Sequence, residues 1–345
     1  MDIVFSIVVG ILMLTAFVVI HEFGHYFAAK KCGIAVEEFS IGFGPKIAQW
    51  SSRDRLSKIS LRLILFGGYV RFVGEEEEDR KNPKHFLGAR LWKRFVTVLA
   101  GPAMNIVAAF LIAVVFLCAY GDISPVVESV AEGSAAQAAG LLPGDVITEM
   151  NGIRIELSSV DFPLALENAD YKNMQLTVDR GGQELDFSVP YELQEDGTYK
   201  IGISSFSYQR HTFRFFEAIG LAFRWLGMIT MQLLDVLGNL FFRGQGVENF
   251  AGMVGTINII GTVAKTGLEN ILRLASLISV NLAIINLLPI PALDGGKVVL
   301  YTVEGIRKKP VSMNVEGVLN FIGFAVIIGF AIFLTFQDIG RLMGN

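Results

Sequence analysis

Three stretches of this chain hold no charged residue at all: Ile3 to Ile20, Phe95 to Tyr120 and Val318 to Phe336. Apolar runs near ~20 residues long are the lengths that cross a bilayer as helices, because lipid offers the backbone no other hydrogen-bond partner. A fourth run, Ile271 to Pro289, carries only Arg273. A fifth, Phe213 to Phe242, carries Arg214, Glu217, Arg224 and Asp235 among many aromatics, and reads as an amphipathic helix on the membrane surface. The fold class that follows is a polytopic α-helical membrane protein with about four transmembrane helices. They are placed at about Val4 to Ala29, Phe95 to Tyr120, Ile271 to Pro289 and Val318 to Phe336. Composition agrees: 52% of residues are hydrophobic and 18% charged, against about a quarter charged in soluble domains.

Charge sets the orientation. The segment after Ala29 carries fourteen Lys and Arg residues between Lys30 and Arg94, whereas Gly121 to His211 carries only Arg154, Lys172, Arg180, Lys200 and Arg210. Basic loops stay cytoplasmic, so Gly121 to His211 is expected outside the cell and the first loop inside. An even number of spans then puts both termini outside, with the ends of the first and third helices on the cytoplasmic side. A net charge of -4 singles out no partner and gives no reason to expect nucleic acid. Two cysteines are too few for a disulfide framework; Cys118 reads as packed in an apolar run and Cys32 as a plain reduced thiol. The first run lacks a basic leader, and HEFGH stands where a signal cleavage site belongs.

The outer segment reads as a small β-rich domain. Strands are expected at Val126 to Val130, Val146 to Met150, Met174 to Val178 and Leu185 to Val189, with a short helix from Ser134 to Ala139 and turns at Pro143-Gly144-Asp145 and Asn151-Gly152. The run AAQAAGLLPGDVITEMNG resembles a PDZ domain, a module that adds a peptide strand to a sheet edge; a β-rich spacer without a ligand is the alternative. In the cytoplasmic loop, Phe39 to Ile47 and Ile59 to Val73 read as membrane-associated β-hairpins. Gly67 and Gly68, ahead of Tyr69, leave room for a second backbone, which makes these three residues candidates for pairing with substrate. Glu75 to Asp79 reads as a solvated acidic loop.

The chemistry is concentrated in His21-Glu22-Phe23-Gly24-His25. On a helix the two imidazoles lie one turn apart on one face, where both can hold Zn²⁺, and Glu22 is placed to act as general base on the metal's water. A third ligand is still needed. His85 and His211 lie in polar stretches and read as exposed surface imidazoles. Asp294 is the better candidate. It follows Asn286-Leu287-Leu288-Pro289-Ile290-Pro291-Ala292-Leu293, where two prolines break the third helix, and a carboxylate at membrane depth is costly unless paired or metal-bound. A water-exposed helix-end charge is the alternative for Asp294.

HEFGH, GLLPGDV and NLLPIPALDGG, together with FGGYV (Phe66 to Val70) and AGPAMN (Ala100 to Asn105), resemble the site-2 protease family of intramembrane zinc proteases, and within it the bacterial regulators of sigma-factor signalling. The resemblance runs over nearly the whole chain. It implies His21, His25 and Asp294 as zinc ligands, Glu22 as the base, and Asn286 and Pro289 as residues facing the substrate. It implies a single-pass membrane substrate, often an anti-sigma factor already trimmed outside, and a plasma-membrane location with the active site toward the cytoplasm. The chain departs from the family in having one PDZ-like unit where some members have two. It also reads Gly252-Met253-Val254-Gly255 where relatives more often carry a proline. Four regions are therefore expected: 1–120 with HExxH and the hairpin loop, 121–211 the PDZ-like domain, 212–265 the surface helix and connector, and 266–345 the last two spans. Two rivals stand beside the protease: a non-catalytic PDZ-bearing membrane scaffold, and a transporter or zinc carrier.

Overall fold

The computed structural model describes residues 2–52, 57–75, 77–168, 172–193, 199–247 and 250–343; Arg53, Arg55 and Glu76 of the loop read above lie outside them. In chain order the elements begin with α1 (Asp2–Cys32), β1 (Val36–Ser51), β2 (Lys58–Phe72) and α2 (Leu91–Ala119). The β-rich segment follows with β3 (Asp122–Val130), α3 (Ala135–Ala139), β4 (Val146–Met150), β5 (Ile153–Arg154) and α4 (Ser158–Glu167). It continues through β6 (Asn173–Arg180), β7 (Gln183–Pro190), β8 (Glu192–Leu193), β9 (Tyr199–Lys200) and β10 (Ile203–His211). The rest is helical: α5 (Phe215–Gly238), α6 (Met253–Ala264), α7 (Leu268–Leu287), α8 (Asp294–Arg307) and α9 (Met313–Met343). Two compact units result, Met1–Ile112 with Ile229–Asn345, and Ala113–Met228.

Among the described residues five helices are long and apolar enough to cross a membrane, one more than the four spans expected: α1, α2, α5, α7 and α9. The fifth is the segment expected to lie on the surface. Glu217 accepts from the Arg214 backbone N–H at 3.0 Å, and Arg224 is paired with Glu156 and Asp161. Beyond Met228 only Asp235 and the terminal Arg243 are charged. Large apolar side chains such as Phe321 and Phe336 of α9 are more than 70% exposed, as expected for a surface that faces lipid rather than water.

Side-chain contacts fix the helix directions in the first unit. His25 meets Thr97 and His21 meets Asn105, so α1 and α2 are antiparallel. Ser279 meets Asn105 and Ser276 meets Ala109, so α7 is antiparallel to α2 and parallel to α1. Gly10 packs on Ile257 and Ser6 on Gly261, so α6 returns toward the side where α1 begins. The ends of α1 and α7 come to one side, where His21 and His25 meet Asp294. The break between α5 and α6 is held from within: Asp338 of α9, 3% exposed, accepts from the N–H groups of Gly252 and Gly255 at 3.2 and 2.7 Å, placing a carboxylate at the start of α6.

The loop between α1 and α2 is one sheet built from two long bent strands rather than separate hairpins. Glu38–Ile41 of β1 pairs on one side with Lys58–Leu61 and on the other with Gly68–Arg71 of β2; Ala48–Ser51 extends the first side. Gly68–Arg71 is thereby left at an edge. In the second unit the main sheet has the order β10-β3-β4-β6-β7, with β5 on β4. Its four expected strands and the α3 helix, capped by Ser134, fall where they were expected. Asn151 and Gly152 both take positive φ, the geometry of a tight hairpin turn. The structure adds strands β5, β8, β9 and β10 and helix α4 to the expected elements. The core is Val127, Leu141, Ile147, Met150, Leu176, Val178 and Val189.

Candidate active site

Helix α1 carries His21 and His25 on a buried face, 7% and 8% exposed. Their Nε2 atoms stand 3.2 Å apart with the rings nearly perpendicular. Asp294, the first residue of α8, brings Oδ2 to 2.9 Å from His21 Nε2 and 3.3 Å from His25 Nε2. Among the described residues this is the one cluster of three or more His, Cys, Asp or Glu side chains with metal-ligand spacing. Bond lengths of about 2.0–2.2 Å and a tetrahedral arrangement require ligand atoms about 3.3 Å apart, and the three observed edges match that requirement. Asp294 Oδ2 is also fully buried and receives no well-directed hydrogen bond. Three converging lone-pair atoms repel one another unless a cation lies between them, so the set fits zinc.

The break after α7 delivers Asp294. The helix stops at Leu287, and Pro289 and Pro291 donate nothing to a continuing ladder. The turn is closed by Ile290 N–H to Leu288 O at 2.7 Å and Leu293 N–H to Ile290 O at 3.1 Å. Ala292 takes φ +75°, and its N–H donates to Asn320 Oδ1 at 3.0 Å. A side chain at Gly295 or Gly296 would strike the backbone carbonyls of Leu287, Leu288 and Ile290, so the two glycines let α8 start directly under the broken end. On the far side, Gly101 of α2 lies against both imidazoles, where a Cβ would sit 2.9 Å from His21 Nε2 and closer still to the His25 ring. His25 Nδ1 meets the Thr97 carbonyl at 2.9 Å, and His21 Nδ1 faces the Asn105 amide at 3.4 Å. In the sequence AGPAMN is only a resemblance; the packing of α2 on α1 is what brings it against the histidines.

Glu22 points from the same turn toward the loop sheet. The Val70 backbone N–H donates to its carboxylate. A Cβ at Gly68 would lie 3.8 Å from Glu22 Cγ and 2.7 Å from the Ser40 carbonyl. The backbone that Gly68 admits is thus β1 of its own sheet. Gly67, at φ +88°, packs on Phe43. Tyr69 donates its phenol to Glu38 Oε2 at 3.0 Å, within a cluster in which Ser60 and Arg62 also donate to Glu38. Burial pushes the Glu38 carboxyl up, but these three donors and the Arg62 charge outweigh it and bring it down to about 2.

Asn286 spends its Nδ2 on the Leu282 carbonyl at 3.0 Å, leaving Oδ1 as an acceptor, and Pro289 is exposed. The other two histidines stay away from the cluster, but neither is the exposed imidazole expected. His85 is half-buried with Nδ1 2.8 Å from Asp79 Oδ1, because the acidic loop folds back onto it. His211 is half-buried, bonded to Ser124 Oγ at 3.1 Å and set edge-on to Phe213. Both cysteines are free.

Comparison with known proteins gives a family-model match over residues 9–330, described as peptidase family M50. The Agrobacterium fabrum protein Atu1380, named as a zinc metalloprotease, is 33% identical over 98% of this chain and 96% of its own length. Zinc metalloprotease RasP of Shouchella clausii is 28% identical over 96% of this chain and 98% of its own. The protease eep of Enterococcus faecalis is 28% identical over 98% of each.

Proposed function

The chain belongs to peptidase family M50 and is a zinc metalloprotease, and from that premise we propose that it hydrolyses a peptide bond in or near the transmembrane segment of single-pass membrane proteins. The observation that carries this reading is the meeting of His21 and His25 from a helix long enough to span the bilayer with Asp294 from the broken end of another, beside Glu22. His21, His25 and Asp294 would hold the zinc, which when bound there would supply Lewis-acid polarisation of the scissile carbonyl and a water of lowered pKa, toward ~7. Glu22 takes a proton from the attacking water on its carboxylate and returns it to the leaving amine nitrogen. The Val70 N–H keeps that carboxylate aimed at the site.

A peptide bond inside a helix is shielded, so the substrate unwinds locally before it is cut. The edge Gly68–Arg71 borders Glu22 and offers an extended segment a strand to pair with; the Asn286 carboxamide oxygen is free to accept one of its N–H groups. The β-rich unit is PDZ-like, lies outside the cell and screens substrates by the size of their ectodomains, so that trimmed proteins such as an anti-sigma factor are admitted. The site opens toward the cytoplasm of a bacterial plasma membrane. The deciding experiment is co-expression with tagged single-pass proteins, comparing wild type with Glu22→Gln, which keeps all three ligands. Cleavage by wild type alone supports the reading, and equal cleavage by both sinks it. Removing 121–211 should extend cleavage to untrimmed proteins; unchanged selectivity would refute the screening role.

A further inference from the structure

We propose that Asn105 is the positioning residue for His21, its side-chain carbonyl accepting the Nδ1–H of that imidazole and fixing the ring so that Nε2 faces the metal. This rests on the reading of His21, His25 and Asp294 as zinc ligands. An imidazole that ligates through Nε2 carries its proton on Nδ1, and that proton needs an acceptor. His25 has one in the Thr97 carbonyl, 2.9 Å from Nδ1. The polar group that faces His21 Nδ1 is the Asn105 amide, at 3.4 Å. Asn105 is completely buried, and its Oδ1 has no hydrogen-bond partner.

In the structure the amide presents Nδ2 to His21. An N–H donated to Nδ1 demands the other tautomer, with its proton on Nε2, pointing into the ligand triangle. The oxygen and nitrogen ends of an amide differ only by a half-turn about the last side-chain bond. Turned over, Asn105 accepts from Nδ1–H and leaves Nε2 as a lone pair. The buried oxygen without a partner then gains one from the ligand it stands against. Asn105 is held at this depth by its backbone, not its side chain: Ser279, fully buried, donates to the Asn105 carbonyl at 2.8 Å, and one turn on Ser276 donates to Ala109 O at 3.1 Å. A side-chain replacement therefore leaves the α2–α7 seam standing. The motif AGPAMN acquires a division of labour. Its Gly101 gives the imidazoles room, and its Asn105 sets the tautomer of one of them.

The test measures zinc affinity of the full-length protein in detergent by chelator competition, which needs no substrate. Asn105→Leu keeps the volume and removes the acceptor; it should bind zinc about 10–100-fold more weakly, the usual consequence of losing a ligand's hydrogen-bond partner. Asn105→Asp restores an acceptor and should bind at least as tightly as wild type. Thermal unfolding of the metal-free variants checks that each is folded, and Asn105→Ala repeats the loss should Asn105→Leu fail that check. Wild-type affinity in the acceptor-less variant overturns the proposal, as does equal weakening by Leu and Asp, which would make Asn105 a packing residue. His21→Ala separates this from the ligand reading itself. If that variant binds zinc as tightly as wild type, the ligand set is wrong; if it loses zinc while Asn105→Leu does not, only the role of Asn105 falls.

Discussion

Replacing Glu304 by Gln should unfold the first unit far more readily than its modest chemistry suggests. Glu304 of α8 and Arg94 of α2 meet at 2.6 Å with side chains only 8% and 7% exposed. The Arg94 guanidinium also stacks on Tyr301 at 4.7 Å, and Glu304 Oε1 accepts the Val311 N–H at 2.9 Å. With charge centres about 4 Å apart and an effective dielectric constant near 20, the attraction is about 4 kcal/mol. Glutamine keeps the shape but strips Arg94 of its counter-charge where water does not reach. Breaking such a pair from one side costs about 3–5 kcal/mol.

The exposed pair Arg71–Glu37, 3.7 Å apart with both side chains about half exposed, is the internal control; losing it should cost less than about 1 kcal/mol. Thermal unfolding in detergent micelles, with Arg94→Met, Glu304→Gln and the double variant in one cycle, measures the coupling. The double variant should recover much of the loss, since no charge is then stranded. The consequence reaches the site because α8 begins at Asp294: Glu304→Gln should also retain less zinc. A Glu304→Gln variant no less stable than Glu37→Gln, or singles whose effects simply add, would refute the reasoning.

Gly101→Ala should strip zinc and lower cleavage by about 10²-fold, since the added methyl displaces imidazoles held in place by Thr97 and Asn105, and misplacement near 1 Å has effects of that order; zinc content by elemental analysis checks it, and a zinc-replete, active Gly101→Ala would contradict it. Glu38 makes the loop sheet acid-sensitive. Its carboxyl is held at about 2 against an ordinary 4.5, so its contribution is complete above 4.5 and fades as pH falls from there toward 2. The stability of Glu38→Gln should be lower at neutral pH and flat across that window, and an unchanged slope would show that another carboxylate is responsible. Asp338→Leu should loosen α6, because two backbone donors at Gly252 and Gly255 lose their acceptor at a cost of about 1–3 kcal/mol; hydrogen exchange at those amides is the measurement.

What the sequence made legible was whatever repeats with a period or breaks one. Uncharged runs announced α1, α2 and α9 because lipid admits nothing else, and short β-prone runs between turn residues announced β3, β4, β6 and β7. The same logic found Asp294, since a carboxylate after two helix-breaking prolines has no ordinary reason to be at that depth. It failed where a residue's meaning lies in a partner far along the chain. Arg224 argues for a surface helix, and nothing in the sequence marks Glu156 and Asp161, more than sixty residues earlier, as its partners. Gly68 looked like space for an incoming strand, but the carbonyl that fills it belongs to Ser40. Asn105 carried no signal of its own, being one polar residue in an apolar run, as Ser276 and Ser279 are in theirs. Its weight comes from the pairing of α2 with α1 on one side and α7 on the other, and no periodicity encodes which helices meet. The cluster of His21, His25 and Asp294 is thus legible from local chemistry, while the groups packed around it become so only once the helices are packed.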